Sequence, residues 1–143
     1  MRIRERLEGV VEILGIIREK NEDYNIPIIV EGKNDVEALR QLNFSGKVIR
    51  IKKRRSVFHI IESLRGDYDE VIVMTDWDKT GGRLAYRIKK ACEANEIKCY
   101  MDYRREIIKY VKKDIKDVEG LPKFIRRMKA EVPGERPRDI TFD

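Results

Sequence analysis

The sequence predicts a small doubly wound α/β fold: a mainly parallel, four-stranded sheet with helices on both faces, preceded by an N-terminal amphipathic helix. Three observations lead there. Short apolar runs rich in β-branched residues recur four times between residues 26 and 103, each followed by a stretch whose apolar residues repeat at helical spacing. Strand–helix–strand alternation makes parallel neighbours, because parallel strands need a crossover and the crossover helix packs back on the sheet with a right hand. At 143 residues, 41% apolar and 41% charged, the chain can fill one core and is too short for two.

The elements follow in order. Ile3, Leu7, Val10, Leu14 and Ile17 recur at spacings of four and three, so residues 2–22 read as a helix that ends before Asn25 and Pro27. Its stripe can pack on the sheet or pair with a second subunit, giving a homodimer or a contact with a protein partner. IPIIV (26–30) is a buried strand stopping at the charged turn EGKND, and a helix over 34–42 carries Val36, Leu39 and Leu42 inward. KVIRI (47–51) precedes a helix with Val57, Ile60, Ile61 and Leu64; EVIVMT (70–75) precedes one with Leu84, Ile88, Ala91 and Cys92. The fourth unit is a strand over 97–103 and the helix of IIKYV, 107–111. A last short helix starts near Pro122, and 133–143, with Pro133, Gly134 and Pro137, reads as an extended tail. The expected organisation is thus an N-terminal helix (1–25), an α/β domain (26–132) and a tail (133–143).

Composition removes several function classes. No run of about 18 uncharged apolar residues exists, and MRIRERLEG lacks the apolar centre of a signal peptide, which points away from membranes and secretion and toward the cytoplasm. Cys92 and Cys99, with His59 the single histidine, are too few for a disulfide framework, a zinc centre or a nucleophilic triad, and read as free thiols on a helix and the next strand. His59 lies off the apolar face of its helix and is expected at the surface. No P-loop and no GxGxxG follows a strand, against nucleotide hydrolysis and dinucleotide redox chemistry. Abundant Glu, Lys and Arg beside a single glutamine, Gln41, is a bias of thermophile proteins.

In such a sheet, ligands meet the residues just beyond the carboxyl ends of the strands. Here those residues are Glu31-Gly32-Lys33-Asn34-Asp35 and Asp76-Trp77-Asp78-Lys79-Thr80-Gly81-Gly82. Two aspartates turned toward one point repel by about 4 kcal/mol at 4 Å and an effective dielectric near 20, and a hard cation would offset that. If the strand order is 2-1-3-4, Glu31 joins Asp76 and Asp78 as a third oxygen donor, a set suited to Mg²⁺ or Mn²⁺. The alternative is that these carboxylates cap helix N-termini. Gly81-Gly82 permits a close backbone approach, or a tight helix start with Thr80 as N-cap.

These two loops resemble the Toprim domain, a Rossmann-like module shared by topoisomerases, bacterial-type primases, OLD-family nucleases and ribosomal RNA maturation nucleases; the EGKND spelling is most similar to the last of these and to stand-alone archaeal Toprim proteins. The resemblance spans about residues 26–103. It implies that Glu31 is the catalytic general acid or base, that Asp76 and Asp78 bind the metal, and that Gly32 and Gly82 are the family glycines. Trp77 departs from the small residue or proline common between the two aspartates, and either thickens the pocket rim or stacks on a base. The accessory domains of the large relatives are missing, so complete topoisomerase or primase activity is not expected.

A net charge of +6 favours a phosphate-rich partner, and the charge is lopsided: residues 83–132 carry fifteen basic and eight acidic side chains. Lys52, Lys53, Arg54 and Arg55 follow the second strand and form an expected nucleic-acid surface, with Lys47 and Arg50 just before them. Arg83, Arg87 and Lys90 share one helix face that starts beside Asp78, and Lys33 and Lys79 sit inside the acidic loops, where an ammonium neutralises a carboxylate or holds a phosphate. The leading expectation is a Mg²⁺-dependent enzyme acting on RNA or DNA phosphodiesters by cleavage or by strand or nucleotidyl transfer. A non-catalytic nucleic-acid-binding module of a larger complex is the second. The third is a phosphatase, because VIVMTDWDKT also resembles the strand-DxDxT start of haloacid dehalogenase enzymes, with Asp76 as nucleophile.

Overall fold

The computed structural model describes residues 1–51 and 56–132. Lys52, Lys53, Arg54 and Arg55 of the expected nucleic-acid surface, and the tail 133–143, lie outside the described residues. Helix α1 (Ile3–Glu22) leads into strand β1 (Ile28–Val30), α2 (Lys33–Gln41), β2 (Val48–Arg50), α3 (Val57–Leu64), β3 (Glu70–Val73), α4 (Lys79–Ala94), β4 (Lys98–Tyr100), α5 (Asp102–Val111), a 3₁₀ turn (Val118–Gly120) and α6 (Leu121–Glu131). The sheet order is β2-β1-β3-β4, and all three pairings are parallel. β1 and β3 are the central strands, with Ile28 opposite Val48 on one side and Ile72 on the other.

The strand period of two splits the core between the faces. Ile28, Val30, Ile72 and Met74 point to one side, where side chains from α1, α2, α5 and α6 cover them. Ile29, Val71 and Val73 point to the other, under Val57 and Ile61 of α3 and Ala85, Ile88 and Cys92 of α4. Burial on both faces is why these runs are continuously apolar rather than alternating.

The apolar stripe of α1 is spent inside the chain: Leu7, Val10, Leu14 and Ile17 are buried in the first core, and α1 packs on α5 and α6. Asn21, fully buried near its end, donates from Nδ2 to the carbonyls of Ile26 and Lys47 (2.9 Å each), tying the helix to the entries of β1 and β2. Gly46 is the glycine this contact demands, because a Cβ there would fall 2.3 Å from Asn21 Oδ1.

Two boundaries correct the sequence expectation. The fourth strand was expected to run to residue 103, yet β4 stops at Tyr100 and α5 begins at Asp102. The β-prone residues of CYMDY suggest a longer strand, but Tyr103, Ile107 and Val111 recur every fourth residue, and the two last are buried on the first core. The start of α4 is the other. Thr80 does not cap it; Asp78 does, with its Oδ1 accepting the Gly81 N–H at 2.7 Å. An aspartate is among the preferred N-caps, and it stands two residues nearer the strand.

Candidate functional site

Because β1 and β3 are neighbours and parallel, the residues leaving their carboxyl ends emerge side by side. Glu31 follows Val30 directly, and the apolar run of β3 continues through buried Met74 and Thr75 to Asp76. The Asp76 amide donates to Glu31 Oε2 at 2.8 Å, joining positions 45 residues apart in sequence. The two strand ends are therefore brought together as a 2-1-3-4 order requires, through the Asp76 backbone rather than its carboxylate; among the described residues, Glu31, Asp76 and Asp78 are not a set whose carboxylate oxygens all come within 4.8 Å of one another.

The loop after Asp76 closes on itself. Thr75 Oγ1 donates to the Gly81 carbonyl at 2.8 Å, while Asp78 Oδ1 takes the Gly81 amide. A Cβ on Gly81 would lie 1.8 Å from the Asp76 carbonyl oxygen, so the close approach the glycine pair allows is made at Gly81; a Cβ on Gly82 would meet nothing within 4 Å. Trp77 is not free to stack on a base. Its indole N–H donates to the Ile115 carbonyl (2.7 Å), its amide to the Lys116 carbonyl (2.9 Å), and its ring packs on the first core. A half-buried indole needs an acceptor, and the turn after α5 provides one.

That tether delivers acids the sequence reading missed. Asp35, Asp117 and Glu119 offer carboxylate oxygens within 4.8 Å of one another, a set able to hold a cation. Asp35 is buried, accepting the Gly32 amide at Oδ2 (3.1 Å) and the Glu119 amide at Oδ1 (2.9 Å), so it also pins the 3₁₀ turn to the start of α2. The aspartate at the third position of α2 could be read as a helix cap, but nothing local to 117–119 says that this turn folds back onto it.

Arg104, from the first turn of α5, lies beneath the acidic loop. Its Nε donates to the Thr75 carbonyl (3.0 Å) and its Nη2 to the Asp76 carbonyl (2.7 Å). Burial lowers its pKa, while Glu31, Asp76 and Asp78 work to raise it. One guanidinium does not balance the acids above it. Burial first, then the charges of Glu31, Asp35, Asp117 and Asp78, push the Asp76 carboxyl up to about 7. Asp35 is raised as well, chiefly by burial. Oxygen donors gathered around a carboxyl raised in this way suit a hard divalent cation.

Lys33 and Lys79 are the first residues of α2 and α4, both exposed, at helix ends whose free amides favour anions. Lys79, Gly82, Arg83 and Arg87 line one open hollow of about 620 Å³ along α4. His59 is exposed, and Cys92 and Cys99 are free thiols on α4 and β4, as expected. Among the described residues, no helix is long and apolar enough to cross a membrane.

Comparison with known proteins agrees with this geometry. A family model, the Toprim domain, matches residues 26–119. A UPF0292 protein of Methanosarcina barkeri is 32% identical over 137 residues, covering 96% of this chain and 94% of that protein. Another, from Methanocaldococcus jannaschii, is 35% identical over 127 residues, covering 89% of this chain and 98% of its own length. Among solved structures, a putative protein from Aquifex aeolicus superposes with a TM-score of 0.63 at 25% identity, over 76% of this chain and 94% of that one.

Proposed function

This chain is a Toprim-domain protein of the UPF0292 family, and on that premise we propose that it is a Mg²⁺- or Mn²⁺-dependent enzyme acting on nucleic-acid phosphodiesters, by cleavage or by strand or nucleotidyl transfer. The observation that carries the proposal is the Glu31–Asp76 contact at the carboxyl end of the two central strands. Glu31, Asp76 and Asp78 would hold the cation, which when bound supplies positive charge beside the reacting phosphate.

The chain's own groups do the rest. Glu31 uses Oε2 on the Asp76 amide, which fixes the carboxylate and leaves Oε1 to take or give a proton. Asp78, an exposed residue, commits Oδ1 to the helix cap. Lys33, Lys79 and the amides of the two helix starts, with Gly82 allowing close approach, receive phosphate oxygens; Arg83 and Arg87 carry the polyanion onward along α4. Lys52, Lys53, Arg54 and Arg55, outside the described residues, add four positive charges that in our reading also meet the polyanion.

Purified protein is expected to cut or join labelled single-stranded, duplex or structured RNA or DNA in Mg²⁺ or Mn²⁺. Asp76→Asn should reduce turnover by at least about a hundredfold, the order of a lost charge-stabilising group. Turnover on none of the substrates, or turnover indifferent to Asp76→Asn, rejects the proposal.

A second reading rests on one observation: Asp78 caps α4 and both oxygens of Asp35 hold amides, so part of the acid set shapes the loops. A non-catalytic nucleic-acid-binding module of this kind would bind in EDTA and turn nothing over. The phosphatase reading is weakened by family membership, and trapping an aspartyl-phosphate at Asp76 would revive it.

A further inference from the structure

We propose that the face shared by α3 and α4 is a track for a single-stranded polynucleotide, on which Phe58 and Tyr86 stack unpaired bases while Lys79, Arg83 and Arg87 hold the phosphates. The proposal deepens the reading of the acidic site as one that acts on phosphodiesters, by naming the form of the substrate. It starts from two aromatic rings left in water. Phe58 is 43% exposed and Tyr86 58% exposed, although Val57 and Ile61 of α3 and Ala85 and Ile88 of α4 are buried in the core beneath them. Neither ring is needed to fill that core.

Both rings line one hollow of about 330 Å³, together with Arg87 and Lys90. Tyr86 and Arg87 also line the larger hollow that contains Lys79, Gly82 and Arg83, so the two hollows adjoin across these side chains. Among the described residues, no acidic side chain lines either. Among the described residues, no hydrogen bond or ion pair engages Lys79, Arg83 or Arg87, whereas Lys90 reaches Glu93 at 3.5 Å and sits 5.7 Å from the Tyr86 ring centre.

Spacing along α4 gives the path direction. Lys79, Arg83 and Arg87 are four residues apart, about 6 Å of rise each, and the series starts beside Asp78. Tyr86 stands about 12 Å along the helix from Asp78. A strand gripped at the two rings therefore runs past the cations to the acidic site.

The mixture of rings and unpaired cations selects the occupant. A duplex offers the cations its phosphates but keeps its bases stacked inside, so Phe58 and Tyr86 would meet nothing. A single strand offers both, and base–aromatic stacking is indifferent to sequence. Bases and phosphates, the groups this surface engages, are common to RNA and DNA, so the two kinds of strand are expected to bind alike.

The test is fluorescence anisotropy of the full chain in EDTA with a labelled 12-nucleotide uridine RNA, the matching thymidine DNA, and a blunt 12-base-pair duplex. The expected result is that the two single strands bind within about threefold of each other and roughly tenfold or more tighter than the duplex. Phe58→Ala and Tyr86→Ala should each weaken single-strand binding by about 5- to 100-fold and leave duplex binding unchanged, with Tyr86→Trp retaining affinity. Equal or tighter duplex binding, no binding of either strand, or alanine variants that bind the single strand as the native chain does would overturn the proposal. Melting curves of the variants separate lost contacts from lost fold. Binding is read without metal or turnover: single-strand binding without turnover would sink the enzyme reading alone, and turnover indifferent to both rings would sink the track alone.

Discussion

At the scale of single residues, Arg104 is the side chain on which the acidic loop most depends. It satisfies two successive carbonyls at the end of β3 and is the cation placed under Glu31, Asp76 and Asp78. Arg104→Ala leaves two part-buried acceptors and removes a counter-charge from beneath the acids, so it should cost about 2–3 kcal/mol, read as a lower urea midpoint. Arg104→Lys keeps the charge but not the paired geometry and should recover only part of that. The placement of Glu31, Asp76 and Asp78 beyond the ends of two neighbouring strands was legible in the sequence, because strand–helix alternation fixes where each apolar run stops. Arg104, Asp117 and Glu119 were not: their placement depends on where α5 begins and on the Trp77 tether, neither of which leaves a local pattern.

At the scale of elements, the four strands and their helices follow from periodicity, and so does the partition of apolar residues between the two faces. The ends are where local propensity misleads. Glu96, in the turn between α4 and β4, holds φ at 57°, a left-handed conformation that costs a residue with a Cβ about 1–2 kcal/mol. Asn25 and Asn43, which tolerate it better, occupy comparable turns after α1 and α2. Glu96→Gly should therefore stabilise the protein by about 0.5–1 kcal/mol, visible as a higher melting temperature, the relief of strain exceeding the added freedom of the unfolded chain. A shortened midpoint would mean that the Glu96 side chain contributes something its backbone obscures.

At the scale of the whole molecule, one charged cluster joins segments far apart in the chain. Asp114, after α5, is contacted by Arg6 of α1 and, at 2.7 Å, by Arg127 of α6; the Arg6 guanidinium also lies 5.4 Å from the Phe124 ring centre. The hydrogen bond from Arg6, then the charges of Arg6 and Arg127, hold the Asp114 carboxyl below its usual range. A depressed carboxylate gives stability that is complete above the unfolded value near 3.9 and disappears as pH falls through the lower folded value. Asp114→Asn should thus lose about 1 kcal/mol at pH 7, after allowance for solvent screening, and show a flatter stability profile below pH 4 in acid titrations. A parallel profile would place the acid sensitivity elsewhere.

The Toprim match ends at residue 119 and begins at 26, yet the seat it leaves on one sheet face is filled by Leu7, Val10, Leu14 and Ile17 from before it and by Phe124, Ile125 and Met128 from beyond it. The stretch that matches the family is therefore shorter than the stretch that closes its own interior. A gene fusion borrowing only the matching part inherits the acidic loops with one flank bare. A fragment cut to those bounds needs some other cover for that flank before the loops are held in place.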